Sequence, residues 1–175
     1  MSACFESEKI KELIKNVPNY PKKGIIFKDI SPLLLDCDGF GKVCKELSKA
    51  GHQPTVVAGI EARGFIFGSL VANMLGVGFV PLRKSGKLPR KAHRASYELE
   101  YGKAELEMHI DALDESDSVL LIDDVLATGG TAAAAIQLVE KTGAIVNALG
   151  FVIEIKSLGG EKKLRDYNVK SLLTY

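Results

Sequence analysis

Short apolar runs alternate with stretches of helical spacing along the chain. Several runs are apolar on both faces, and strands are predicted at residues 55–60, 78–83, 118–123, 144–155 and 169–174. Helices are predicted at residues 64–76 and 130–141, with a short one at 159–166. This alternation predicts an α/β fold with a mainly parallel sheet flanked by helices.

The N-terminal region has a different pattern. Ser7 is a candidate N-cap for a helix with apolar residues at helical spacing, which Pro18 would end. Residues 18–36 contain prolines and glycine and predict an extended arm with one short strand. Asp38 is placed to cap a second helix.

Length and composition then limit the class of protein. The chain has 175 residues, of which 46% are hydrophobic, and we expect one domain with a sizeable core. A net charge of +1 argues against a general polyanion binder, so no nucleic-acid partner is expected. No apolar run reaches the roughly 18 residues of a membrane span, and no secretory signal is visible. Three cysteines without metal-type spacing favour reduced thiols in the cytoplasm.

Charge is unevenly distributed in a polar hairpin that we expect at residues 84–110. Residues 83–94 carry six Lys or Arg and no acid, and residues 98–117 are mainly acidic. Such runs usually form a solvated loop, but a basic arm that closes over an anion is the alternative. Composition leaves both readings open.

The stretch VLLIDDVLATGGT, residues 119–131, carries the strongest chemical signal. Asp123 and Asp124 are expected to end a buried strand, where unpaired carboxylates need partners. Sugar hydroxyls could donate hydrogen bonds to them, and a divalent cation is the other possible partner. The glycine-rich turn leads into a helix whose free N–H groups suit a phosphate. Together these features describe a ribose-5-phosphate site. The motifs of an ordinary P-loop and of a dinucleotide-binding fold are both missing.

This stretch closely resembles the diphosphoribosyl-binding motif of type I phosphoribosyltransferases. The resemblance implies that Asp123 and Asp124 bind the ribose hydroxyls. It also implies a 5′-phosphate site formed by Ala127, Thr128, Gly129, Gly130 and Thr131.

Two further stretches resemble the adenine-specific branch of that superfamily. GIIFKDISPLL, from residue 24, resembles its base-binding arm, which implies base contacts from Ile26, Phe27 and Lys28. A core aromatic is the alternative for Phe27. AGIEARGFIFG, from residue 58, resembles its pyrophosphate loop, which implies pyrophosphate contacts from Glu61, Ala62 and Arg63. It also implies an unusual non-proline cis peptide bond between Glu61 and Ala62. An ion pair between Arg63 and Glu61 is the structural alternative.

The polar hairpin resembles the flap of the same family. The resemblance implies that Arg83, Lys84 and Lys87 meet pyrophosphate, some of them across a subunit interface. It also implies a catalytic Glu100 near the imidazole ring of the purine, supported by Tyr101. A solvated hairpin carboxylate is the alternative for Glu100.

The resemblance covers nearly the whole chain and implies a single phosphoribosyltransferase domain, residues 1–175. Residues 1–36 would form a small N-terminal helix and hood, and residues 84–110 a flexible flap. The implied reaction joins adenine and 5-phosphoribosyl 1-pyrophosphate (PRPP) into AMP and pyrophosphate. Mg²⁺ would be bound through PRPP and pyrophosphate, with no direct protein ligand. A cytoplasmic homodimer with no membrane contact is implied.

Three alternatives stay open at this point. The chain could use another purine base, namely hypoxanthine, guanine or xanthine. It could be a regulator that binds PRPP without catalysis. A PRPP synthetase shares a related motif, but residues 1–175 show no ATP-binding half.

Overall fold

The computed structural model describes residues 6–98 and 103–175. Its strands are β1 Lys15–Pro18, β2 Ile26–Asp29, β3 Val56–Ile60, β4 Gly78–Lys84, β5 Ala92–Glu98, β6 Lys103–His109, β7 Ser118–Leu126, β8 Ile145–Glu154 and β9 Val169–Thr174. Its α-helices are α1 Ser7–Glu12, α2 Ser31–Leu35, α3 Cys37–Leu47, α4 Arg63–Leu75 and α5 Gly130–Glu140. Two 3₁₀ helices, Lys156–Leu158 and Gly160–Leu164, precede β9.

The chain forms two compact units, Met1–Glu46 and Leu47–Tyr175. The single domain expected for residues 1–175 therefore stays a prediction. None of the helices in the two described ranges has the length and apolar character needed to cross a bilayer.

In the first unit, α1 is shorter than its apolar spacing predicts. The helix ends at Glu12, and β1 follows at once and pairs antiparallel with β2, with Val17 opposite Phe27. Extending the helix to Pro18 was wrong because residues 15–18 are extended and pair with β2. Pairing between β1 and β2 supplies the backbone hydrogen bonds of this extended arm.

The second unit is built on a seven-stranded sheet in the order β5-β6-β4-β3-β7-β8-β9. The strands from β4 to β9 in this order run parallel, and only the β5–β6 and β4–β6 pairs are antiparallel. The mainly parallel α/β sheet predicted from the sequence is confirmed. Its antiparallel edge is the polar hairpin.

Successive side chains of the central strands point to opposite faces of the sheet, and both faces are buried. On one face, Gly59 and Ile122 approach α4 so closely that a Cβ added at Gly68 would lie 3.3 Å from the Gly59 Cα and 3.7 Å from the Ile122 Cβ. On the other face, Ala58 and Leu121 belong to the buried cluster that includes the alanines of α5. Because both faces are covered, these strands are continuous apolar runs rather than alternating ones.

Strand β7 is longer than predicted. It continues past Asp123 and Asp124 to Leu126, because Val125 and Leu126 still pair with Ile153 and Glu154 of β8. The two aspartates thus lie inside the strand rather than at its end.

Candidate active site

Two adjacent carboxylates lie near the carboxyl end of β7. Asp124 is 5% exposed, and its Oδ2 lies 2.8 Å from Nε of Arg63. This oxygen accepts no aligned hydrogen bond from the described residues, so the contact is an ion pair. Asp123 Oδ1 accepts a hydrogen bond from the Asp124 N–H at 2.9 Å. Asp124 is therefore deeply buried, whereas Asp123 is only partly buried and lines the adjoining cavity.

This environment perturbs both carboxyl groups. Burial raises the pKa of Asp123 well above its usual value, and the negative charge of Asp124 raises it further. Burial also raises the pKa of Asp124, although the positive charge of Arg63 opposes that effect. Two such carboxylates are costly to ionise together unless donors approach them. Ligand hydroxyls would supply those donors.

A cavity adjoins the carboxylates at the start of α5. With its open mouth it encloses about 280 Å³. It is lined by Asp123, Val125, Leu126, Ala127, Thr128, Gly129, Thr131, Ala132 and Phe151. The helix of eleven residues begins at Gly130 and presents its positive end to this loop. All five residues predicted to bind a phosphate lie in or beside this cavity.

The loop takes its shape from two glycines far apart in sequence. Gly129 has a φ of +77°, which side chains other than glycine rarely adopt. A Cβ on Gly160 would lie 2.3 Å from the Ala127 carbonyl oxygen and 2.8 Å from the Gly129 nitrogen. The C-terminal tail thus braces the loop by direct backbone approach. Sequence reasoning missed Gly160, although the two successive glycines there were a usable signal.

The start of α4 brings a second loop to the carboxylates. The Glu61–Ala62 peptide bond is cis, as the sequence predicted, and α4 begins at Arg63. A Cβ on Gly64 would lie 2.8 Å from the Ile122 carbonyl oxygen and 2.9 Å from Oδ1 of Asp123. Only glycine allows this approach, which places Arg63 within reach of Asp124.

Glu61 holds the basic segment at the end of β4, residues 83–87. It accepts hydrogen bonds from Arg83 Nε at 3.2 Å, Arg83 Nη2 at 3.4 Å and the Lys84 N–H at 3.0 Å. Burial alone would raise the pKa of Glu61, but these donors outweigh it and the net pKa is lowered. The alternative considered for Arg63 was an ion pair with Glu61. In the structure Arg63 pairs with Asp124, and Glu61 pairs with Arg83. Lys87 is exposed in the same segment.

The predicted base-binding residues lie in β2 of the first unit. Phe27 is half-buried, and its ring meets that of Tyr20 edge to face at a centroid distance of 5.2 Å. Lys28 donates a hydrogen bond from Nζ to Asn16 Oδ1 at 2.7 Å, and burial lowers its pKa. Ile26 is 55% exposed. Because Ile26 and Phe27 are consecutive in a strand, their side chains point to opposite faces of β2.

Glu100 and Tyr101 lie outside the described residues, so the flap carboxylate and its neighbour stay predictions. Residues 6–98 and 103–175 contain no group of three or more His, Cys, Asp or Glu side chains able to hold a metal ion.

The chain is similar to known proteins in sequence. The chain matches the family described as the phosphoribosyl transferase domain over residues 29–173. An adenine phosphoribosyltransferase of Francisella philomiragia is 54% identical over 170 residues, which cover 95% of this chain and 97% of that protein.

Solved structures give the same result. The adenine phosphoribosyltransferase of Thermoanaerobacter pseudethanolicus has a TM-score of 0.93 at 48% identity, covering 96% of this chain and 99% of that one. The enzyme of Saccharomyces cerevisiae, complexed with adenine and an imino-altritol bisphosphate, has a TM-score of 0.90 at 39% identity. That match covers 95% of this chain and 98% of the other.

Proposed function

We propose a role for each part of the site from one premise, namely that the chain belongs to the phosphoribosyltransferase family and, within it, to the adenine phosphoribosyltransferases. It transfers the 5-phosphoribosyl group of PRPP to adenine and yields AMP and pyrophosphate, a purine salvage reaction. One observation supports the assignment of roles most strongly. A single segment, residues 123–132, supplies both two adjacent carboxylates, of which Asp124 is buried, and the cavity at the start of α5.

The sugar-phosphate end of PRPP is assigned to that segment. Asp123 and Asp124 accept hydrogen bonds from the ribose 2′- and 3′-hydroxyls, which provide the donors that the buried pair lacks. The 5′-phosphate enters the cavity, where the amides of Ala127 to Thr131 and the positive end of α5 stabilise its charge. Both ends of ribose 5-phosphate are then held by residues adjacent in sequence.

The pyrophosphate end is assigned to the cis loop and to the basic segment at the end of β4. Arg63 exchanges its partner when PRPP binds: Asp124 takes a sugar hydroxyl, and the guanidinium turns to the pyrophosphate. Arg83, Lys84 and Lys87 approach from the other side, and Glu61 holds the first two in place. The Ala62 region contributes backbone amides to the same end.

Adenine is assigned to β2 and to the flap. The ring of Phe27 stacks on the purine, while backbone groups of Ile26 and Lys28 read its polar edge. Glu100 accepts the proton that leaves the base, and Tyr101 supports it. The bond between C1 of the ribose and the pyrophosphate oxygen breaks, and a bond from C1 to the purine nitrogen forms.

Mg²⁺ is proposed to enter on PRPP. Phosphate oxygens suit it as ligands, and the donor set of the described residues fits an ion carried by substrate rather than a protein cage. When bound, it would neutralise part of the charge on the departing pyrophosphate. Arg63 and Lys87 act on the same charge from the protein side.

The assembly and the location follow from the family resemblance alone. We propose a homodimer that works in the cytoplasm, with small-molecule substrates and no nucleic-acid or membrane partner. Light scattering of the purified chain tests the dimer, and a monomeric mass at micromolar concentration would contradict it.

A base panel tests the function. The protein is mixed with PRPP, Mg²⁺ and each common nucleobase in turn, and nucleotide formation is followed by chromatography. AMP is expected from adenine, and lack of product would contradict the assignment. Faster turnover of hypoxanthine or guanine would favour the other-purine alternative, and PRPP binding without any product would favour a regulator.

A further inference from the structure

Glu107 is a buried glutamate within an otherwise acidic stretch of the chain. It lies in β6 and is only 2% exposed. Its carboxylate accepts hydrogen bonds from Ser85 Oγ at 3.2 Å and from the Gly86 N–H at 3.0 Å, and lies 3.0 Å from Nε of Arg94. Ser85 and Gly86 lie directly after β4, and Arg94 lies opposite Glu107 in β5.

Stability alone does not explain a carboxylate at this position. Arg94 is 65% exposed, and an ion pair with such a partner contributes little. A well-packed apolar side chain often stabilises a buried position as much as an ion pair does, or more. The feature of Glu107 that no apolar residue could replace is its bond to the backbone of the turn at Gly86.

The turn needs such a partner because the sheet ends there. Pairing of β4 with β6 stops at Lys84, and the Ser85 N–H reaches the Glu105 carbonyl at 3.2 Å. Gly86 then adopts a φ of +78°. Its amide points at Glu107, which fixes the chain where it leaves the sheet.

Lys87 is the residue that this arrangement presents. Its carbonyl oxygen accepts a hydrogen bond from Arg83 Nη1 at 3.3 Å, and Arg83 is held in turn by Glu61. The backbone is therefore held on both sides of Lys87, by Glu107 through Gly86 and by Glu61 through Arg83. On ligand binding, only the side chain of Lys87 has to become ordered, because its backbone is already fixed.

We propose that Glu107 is a positioning residue for the transfer reaction, which holds the Ser85–Gly86 turn so that Lys87 meets the pyrophosphate of PRPP. The inference rests on the proposed role of Lys87. A fixed backbone lowers the ordering cost of binding, and small misplacements of such groups are costly.

The test compares ligands that contain pyrophosphate with one that does not. Glu107→Gln keeps the shape of the side chain, but it replaces one acceptor oxygen with an NH₂ group that faces donors. We expect the Kd of PRPP and of pyrophosphate to rise about tenfold, as when a supporting partner of a bound group is lost. The Kd of AMP should stay within about twofold, because AMP does not reach this turn.

Glu105→Gln is the matched control. Glu105 lies two residues away in the same strand and contacts Ser85 Oγ at 3.3 Å and Ser96 Oγ at 3.1 Å. Its side chain makes no bond to the Gly86 amide among the described contacts. We expect the PRPP affinity of this variant to match the wild type.

The outcomes separate the inference from the function on which it rests. If Glu107→Gln weakens AMP and PRPP equally, Glu107 only supports the fold and the inference is wrong. If Lys87→Ala weakens PRPP binding and Glu107→Gln does not, the role of Lys87 stands and that of Glu107 falls. If neither change affects PRPP binding, the assigned role of Lys87 is itself wrong.

Discussion

Replacing Asp124 with asparagine separates binding from folding in one substitution. Asp124→Asn keeps the size of the side chain and removes one negative charge beside Arg63 and Asp123. In the proposed site this charge accepts a hydrogen bond from a ribose hydroxyl. We expect PRPP binding to weaken by more than the fold does.

The magnitudes follow from the two environments of this charge. A hydrogen bond to a charged group contributes about 1.5–3 kcal/mol, which is about 10- to 150-fold in the Kd of PRPP at about 1.4 kcal/mol for each factor of ten. Breaking a buried ion pair costs about 3–5 kcal/mol when the remaining charge stays buried. Arg63, however, is 32% exposed and can turn to water. Relief from the buried charge beside Asp123 offsets part of the remainder, so we expect the free energy of unfolding to change by about 1 kcal/mol or less.

Two measurements on the same preparation check this. Calorimetric titration gives the Kd of PRPP, and urea unfolding without ligand gives the free energy of unfolding. Asp166→Asn is the control, because Asp166 is exposed and paired only loosely with Arg165 at 3.7 Å. Unchanged PRPP affinity would mean that the hydroxyl contact is misassigned. A stability loss above about 3 kcal/mol would mean that Asp124 serves the fold first.

Three other substitutions test neighbouring parts of the site. Because the pKa of Asp123 is raised in the folded state, its ionisation costs no stability below the unfolded pKa of about 3.9, and the cost grows as pH rises through the folded pKa. The free energy of unfolding of Asp123→Asn, measured with urea, should therefore increase relative to that of the wild type as pH rises. A difference that stays constant with pH would contradict this. Gly160→Ala places a Cβ 2.3 Å from the Ala127 carbonyl oxygen, and should lower stability by about 1–3 kcal/mol and weaken AMP binding. Gly41→Ala is the control, because its Cβ meets no heavy atom within 4 Å. If Gly160→Ala has the melting temperature of the wild type, Gly160 does not support the loop. Phe27→Ala should raise the KM of adenine by the equivalent of about 1–3 kcal/mol of stacking and leave that of PRPP nearly unchanged; equal effects on both would remove Phe27 from the base site.

The central fold could be predicted because burial on both faces leaves a local signature. Residues 119–122, for example, are apolar at every position, and the alanine-rich helix begins a few residues later at Gly130. The end of β7 could not be read from the same pattern. Its last residues are polar or lie beside polar residues, and what extends the strand is pairing with Ile153 and Glu154 of a distant strand.

The site divides in the same way. The carboxylates and the phosphate loop lie within one segment, so residue types and spacing were enough to suggest a ribose-5-phosphate ligand. The partners of the charged side chains could not be predicted from the sequence. Asp124 contacts Arg63, and Glu107 contacts Gly86, only once the sheet has formed. Glu107 also lies in an acidic run, where a charge is usually solvated. Burial, which distinguishes it, is a property of the fold.

The ion pair between Arg63 and Asp124 has a consequence for how ligands share the site. A ligand with only the sugar diol draws Asp124 away and leaves the guanidinium without its carboxylate. Pyrophosphate alone draws Arg63 away and leaves a buried carboxylate uncompensated, which is expensive. In the proposed site PRPP would satisfy both groups at once, so we expect its binding energy to exceed the sum of its two parts. Since coupling between two ligands is reciprocal, pyrophosphate and AMP should each bind more tightly when the other is present.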